Sequence, residues 1–209
     1  MKNQISIRIQ IVLIVLAIAV AALPTTSYAG SPHVREGWQF GVSYGYSAGR
    51  VTLANESEGT GEGGATPQMR LGHMVGKKVA LGVEYSGWML EGGDADLKIR
   101  SSLQQIMVAG TWYPGNPERA SGGFYMRGGV GLGWASVAAV ELFDQLQEEG
   151  LRKDESGLGL LAAIGYEFRV TNDVAAGLGW GFNYLSINKD IYESGWFTPV
   201  TATLAWYFN

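Results

Sequence analysis

Five charged residues stand out because each lies in a stretch that is otherwise apolar or small. They are Arg70, Glu84, Arg127, Glu167 and Arg169. Charged side chains of both signs in one enclosed space can form a network of ion pairs, or they can line a path for ions and small solutes. An unpaired buried charge is costly, so we expect these acids and bases to pair.

Side chains that could support catalysis or bind a metal are sparse. The sequence has no cysteine and two histidines, His33 and His73. A hydrolytic site needs a nucleophile beside an oriented base, but His73 falls on the apolar face of its segment and His33 lies outside the patterned segments. A thiolate or histidine-rich metal cluster is excluded by composition. We predict no enzymatic activity, no catalytic residue, no cofactor and no metal.

The clearest structural signal comes from residues 156–185. Apolar residues occupy even positions from Leu158 to Phe168 and again from Val174 to Tyr184, and most odd positions are small or polar. A helix repeats about every 3.6 residues, so this period of two predicts two β-strands joined by a short turn. One face is rich in large apolar side chains, which favours contact with lipid, and a tilted membrane strand needs only about 9–11 residues.

The same alternation recurs along the chain and predicts eight strands. They cover residues 37–47, 66–75, 79–90, 102–113, 123–135, 156–169, 174–185 and 196–208. An even number of strands can close without leaving an edge in the lipid. The predicted fold is therefore an all-β, eight-stranded antiparallel up-and-down transmembrane β-barrel. Three short links alternate with four longer, acidic ones, which predicts long loops on the cell exterior.

Within this barrel the five charged residues face the interior. A tight turn after Val75 would place Arg70 directly opposite Glu84, which predicts an ion pair between neighbouring strands. A barrel of eight strands is just wide enough for side chains to fill, so we favour a structural plug. The many inward glycines leave room for the alternative, a narrow water-filled path past the charges.

The first residues have the pattern of an export signal. Lys2 and Arg8 precede an apolar run over residues 11–23, and the small residues Ser27 and Ala29 follow it. The run is shorter than the roughly 20 residues of a spanning helix. We predict a cleaved signal peptide over residues 1–29 and a barrel domain over residues 30–209, located in the outer membrane of a Gram-negative bacterium.

Three segments resemble a known family. The final strand, Leu204-Ala-Trp206-Tyr-Phe208, looks like the C-terminal strand that the barrel-assembly machinery reads, although Asn209 follows the aromatic residue. The segments 125–131 and 165–173 resemble the small eight-stranded outer-membrane barrels related to the membrane domain of outer membrane protein A. The resemblance implies two partners: outer-membrane lipid and the assembly machinery, the latter at Leu204, Trp206 and Phe208.

The loop over residues 136–155 is the best candidate for a surface ligand. It mixes apolar residues with acids, among them Glu141, Asp144, Glu148 and Glu149. It could form a short amphipathic helix, but a strand extension or an acidic loop is favoured. The glycine clusters at 128–133 and 177–181 precede no helix, so they do not match a nucleotide loop, and we expect no nucleic-acid partner. The predicted function is structural or surface-interactive; the alternative is a narrow pore or small-solute channel.

Overall fold

The structure of the protein is a computed structural model. It covers residues 35–53, 60–93, 97–115, 123–141, 152–171, 173–187 and 192–208. The predicted signal peptide, residues 1–29, therefore lies outside the described residues. The described chain has eight strands: β1 (Trp38–Leu53), β2 (Thr60–Gly76), β3 (Val79–Gly93), β4 (Leu97–Trp112), β5 (Gly123–Glu141), β6 (Arg152–Arg169), β7 (Val174–Ser186) and β8 (Tyr192–Phe208).

The strands pair in chain order and close into a barrel, because β8 also pairs with β1. Every pairing is antiparallel. The predicted fold, an eight-stranded up-and-down barrel, is confirmed. The closing seam runs from the pair Trp38 and Phe208 to the pair Leu53 and Tyr192, with a register shift at Thr52.

The outer wall carries an apolar band next to one rim of the barrel. That rim holds the connections 77–78, 113–122 and 170–173, and we call it the turn end. Large apolar side chains on the outer wall are exposed from Phe124 to Leu132 on β5 and from Leu158 to Phe168 on β6. Beyond them toward the other rim, polar residues also face outward, as at Arg50 and Ser156. We call that rim the projecting end, since the strands extend past the band there.

The strands are longer than the sequence predicted. They contain 13 to 19 residues, whereas about 9–11 suffice to cross a membrane. The predicted loop over residues 48–65 is wrong at both ends, because β1 continues to Leu53 and β2 begins at Thr60. Likewise, β5 and β6 extend into the predicted loop 136–155. The residues at both ends of the possible helix in that loop therefore belong to β5 and β6. Residues 142–151 lie outside the described residues.

The inside of the barrel has two layers of different chemistry. Toward the turn end lie the buried charged residues Arg35, Arg70, Glu84, Arg127 and Glu167. Toward the projecting end lies an apolar layer formed by Val51, Trp88, Leu103, Ala135, Leu185, Ile187 and Phe197. The alternating pattern, in which most inward positions are small or polar, did not predict this apolar layer. Among the described residues, no helix is long and apolar enough to span a membrane.

Candidate functional site

The charged layer is built from residues that the alternating pattern turns inward on four strands. Arg70 lies on β2, Glu84 on β3, Arg127 on β5 and Glu167 on β6, and each is at most 7% exposed. The predicted register is confirmed at the charges, because Arg70 lies directly opposite Glu84. The turn itself differs from the prediction: a register shift after Met74 places Gly76, and not Val75, opposite Val79.

The predicted ion pair between Arg70 and Glu84 is wrong. Arg70 Nη2 instead donates to Glu167 Oε1 across the lumen. Glu84 accepts from Arg127 Nη1 through both of its carboxylate oxygens, at 3.0 and 2.8 Å. An eight-stranded barrel is narrow enough for side chains from different walls to meet. Each acid therefore pairs with a base from a strand that is not its neighbour.

Glu167 is the centre of the layer. It is fully buried, and besides Arg70 it accepts hydrogen bonds from the hydroxyls of Tyr207, at 2.7 Å, and Tyr113, at 3.4 Å. Gln39 Oε1, 3.3 Å away, is an alternative acceptor for the one hydroxyl proton of Tyr113. Burial raises the pKa of Tyr113, which lies just beyond the end of β4. The hydroxyl therefore keeps its proton near neutral pH and remains a donor.

The arginine guanidinium groups also lie over tyrosine rings, in cation–π contacts. The guanidinium carbon of Arg35 lies 4.2 Å from the ring centre of Tyr113, and that of Arg169 lies 3.8 Å from Tyr207. Tyr125 lies between the two ion pairs, 5.8 Å from Arg70 and 5.0 Å from Arg127. Such contacts contribute about 0.5–2 kcal/mol each. Arg169, predicted as part of the charged network, is only half-buried and contacts it through Tyr207.

The layer contains more buried positive than negative charge. Among the residues that the structure describes, three buried arginines, Arg35, Arg70 and Arg127, accompany two buried glutamates. Buried guanidinium nitrogens without a hydrogen-bond partner remain on all three arginines. A cavity of about 10 Å³ borders Glu84 and Arg127, which is room for about one water molecule.

The sequence analysis did not predict the apolar layer, because the layer depends on which inward side chains from different strands come into contact inside the barrel. Trp88, Leu103, Leu185 and Phe197 are all fully buried in it. The inward glycines provide the space that these side chains fill. A β-carbon at Gly49 would lie 2.7 Å from Cε2 of Trp88, and one at Gly133 would lie 2.6 Å from Cδ1 of Leu185. The glycines thus admit large neighbours at these positions.

The remaining predicted residues lie on the outer wall or near it. His73 is exposed, and its ring lies 5.1 Å from that of Trp38 in an edge-to-face arrangement. Leu204 and Phe208 are 36% and 37% exposed, as expected for outward residues. Trp206 is only 4% exposed, because its ring stacks on Phe40 at 5.8 Å. Among the described residues, no group of three His, Cys, Asp or Glu side chains is placed to hold a metal ion.

Solved structures share this architecture. Neisserial surface protein A aligns with a TM-score of 0.57 and 18% identity, over 83% of this chain and 100% of that one. The chain has the fold of an eight-stranded outer-membrane β-barrel. Weaker alignments link the barrel to Ail, the attachment invasion locus protein of Yersinia pestis, and to OprG of Pseudomonas aeruginosa. Ail has a TM-score of 0.47 and 12% identity over 80% of this chain and 99% of Ail; OprG has 0.45 and 10% over 86% of this chain and 100% of OprG.

Comparisons at the level of sequence found no relative. No protein-family model matches the barrel, and no curated protein matches it. The likeness therefore concerns the fold, and the chemistry of the barrel has to be argued from its own residues.

Proposed function

We propose that the protein is a non-enzymatic outer-membrane barrel of a Gram-negative bacterium that acts as a closed scaffold presenting its projecting end to the cell exterior. The observation that carries this proposal is the filled lumen. A charged layer blocks the turn half and an apolar layer blocks the projecting half. An ion would have to shed its water to pass the apolar layer, since hydrophobic constrictions exclude water.

Several features support this location and orientation. The outward apolar band suits lipid, and charged substitutions there would be costly. The two tight connections at 77–78 and 170–173 lie at the turn end, and short turns face the periplasm in such barrels. The strands then project on the outside. Neisserial surface protein A, which shares the fold, is by its name a surface protein.

The connection between β5 and β6 is the part of this scaffold that we propose contacts a partner. Residues 142–151 contain Asp144, Glu148 and Glu149 beside Leu142 and Phe143. Acidic and apolar side chains on a rigid scaffold suit a basic or mixed protein surface. Deleting residues 143–150 should abolish adhesion of bacteria expressing the full chain to a surface coated with a basic protein, with unchanged surface levels. Undiminished adhesion would refute this role.

Single-channel recording tests the closed lumen. The protein is extracted from outer membranes, its fold is checked by the change of gel mobility on heating, and it is inserted into a planar bilayer. We expect no stable conductance steps. The rival function, a narrow pore for ions or small solutes, predicts steady and ion-selective steps, and their observation would replace the scaffold proposal.

A further inference from the structure

We propose that the outer wall near the turn end carries a binding site for one phospholipid with an anionic headgroup. The feature is a groove of about 520 Å³ on the lipid-facing side of β3 to β7. Cavities that take small molecules typically measure about 300–1,000 Å³. The inference rests on the proposed membrane location, and it assigns a ligand that the scaffold role does not require.

The groove exists because three neighbouring strands lack a large side chain at the same level. Gly110 pairs with Gly128, and Gly128 pairs with Ala162. Leu81 and Phe182 occupy the two ends of this row, opposite Gly110 and Ala162. The lining of the groove is almost entirely apolar, so an extended hydrocarbon chain matches its surface.

One wall of the groove is a row of large residues on the side of the turn end. Trp112 pairs with Met126, Met126 with Ile164, and Ile164 with Trp180. Tryptophan is enriched at the depth of lipid headgroups, where its ring meets both apolar and polar surroundings. Trp112 is the last residue of β4 and places this end of the groove close to the headgroup region, while Trp180 lies further along the apolar band.

Positive charge stands at the end of the groove where a headgroup would lie. Val79, which lines the groove, directly follows the exposed residues Lys77 and Lys78. Two contacts hold this turn beside the end of β4: Tyr113 N donates to the carbonyl oxygen of Lys78 at 2.8 Å, and Lys78 Nζ donates to the carbonyl oxygen of Pro114 at 3.5 Å. Two ammonium groups beside an apolar groove complement a lipid phosphate whose acyl chain fills the groove.

The occupant follows from this combination. A second copy of the chain could place its convex apolar wall against the groove, but that wall offers no negative charge to Lys77 and Lys78. A lipid satisfies both the groove and the charge. Since the attraction is electrostatic, it should favour a net negative headgroup such as phosphatidylglycerol over a zwitterionic one.

Native mass spectrometry of the full chain, released from detergent with defined lipids, tests the site. We expect one retained phosphatidylglycerol, with an apparent Kd at least tenfold lower than that for phosphatidylethanolamine with the same acyl chains. Gly128→Leu should raise the Kd for phosphatidylglycerol at least tenfold by filling the groove. A β-carbon at Gly128 would approach nothing closer than 3.8 Å, so this variant should fold.

Two further variants separate the site from general effects. Ala202→Leu adds a similar bulk to the exposed outer wall outside the groove, and it should bind lipid as the wild type does. The double variant Lys77→Gln and Lys78→Gln should remove the headgroup preference. Equal affinities for the two lipids, wild-type binding by Gly128→Leu, or equal weakening by Ala202→Leu would overturn the proposal. A change of oligomeric mass in Gly128→Leu would also overturn it, in favour of a second copy. None of these outcomes alters the conductance test of the closed lumen.

Discussion

Replacing Glu167 with Gln should destabilise the barrel strongly. The carboxylate is fully buried and accepts from Arg70, Tyr207 and Tyr113. Removing one partner of a buried ion pair typically costs about 3–5 kcal/mol, because the other charge stays buried. Glutamine retains a carbonyl oxygen that can still accept from the tyrosines, so we expect about 3 kcal/mol, the lower end of this range.

The charge balance of the layer supports this magnitude. With Glu167 neutral, Arg35, Arg70 and Arg127 would share the single buried carboxylate of Glu84. Two of the guanidinium nitrogens of Arg70 already have no hydrogen-bond partner. Other contacts of Arg70 would therefore compensate little for the loss of the Glu167 carboxylate. Folded proteins are stable by only about 5–15 kcal/mol, so the predicted loss is a large share of the total.

Urea unfolding of the barrel in lipid vesicles, followed by tryptophan fluorescence, measures this loss. Asp173→Asn is the matched control, since that side chain is exposed on the neighbouring turn and should be neutral. The double variant Arg70→Met and Glu167→Gln removes both charges and should recover to within about 1 kcal/mol of the wild type. If Glu167→Gln cost no more than the control, or the double variant were less stable than the single, the buried ion pair would not stabilise this lumen.

Three further predictions concern other parts of the molecule. Glu84→Gln should cost about 3–5 kcal/mol, because Arg127 then loses its carboxylate, and an unchanged midpoint of thermal unfolding would contradict this. Gly49→Ala should destabilise the fold by about 1–3 kcal/mol through overpacking against Trp88, whereas Gly128→Ala should be tolerated; urea midpoints compare the two. Trp88→Ala should cost about 3–5 kcal/mol through loss of the largest side chain of the apolar layer; the urea midpoint measures this loss, and an unchanged midpoint would contradict the packing of that layer.

The sequence predicted the strands well where they lie within the apolar band, because period-two alternation depends only on local side-chain type. It failed where the strands project beyond the band. Residues 48–65, which were predicted as a loop, contain five Gly and three Glu, a composition typical of loops. There the strand pairing of the barrel and the packing of Trp88 against Gly49 and Gly64 override local preference.

In the candidate site, too, the sequence predicted what depends on local pattern and failed for what depends on barrel closure. Alternation correctly turned Arg70, Glu84, Arg127 and Glu167 inward, and register placed Arg70 opposite Glu84. It could not give the ion pairs, because these join walls whose separation depends on barrel closure. The buried positions of Leu103, Leu185 and Phe197 in one layer depend in the same way on the stagger of distant strands.

The closing seam has a consequence for how the protein is made. The first strand can complete its pairing only with the last, and the hydrogen bond between Ser43 and Thr203 joins residues 160 positions apart. Contacts of such high contact order form slowly, because a long loop must close before they are gained. Until β8 has emerged, β1 and β7 expose unpaired edges that invite aggregation. Assembly of this barrel should therefore be all-or-none, and a chain that lacks residues 192–208 should accumulate as an aggregate or a chaperone-bound species.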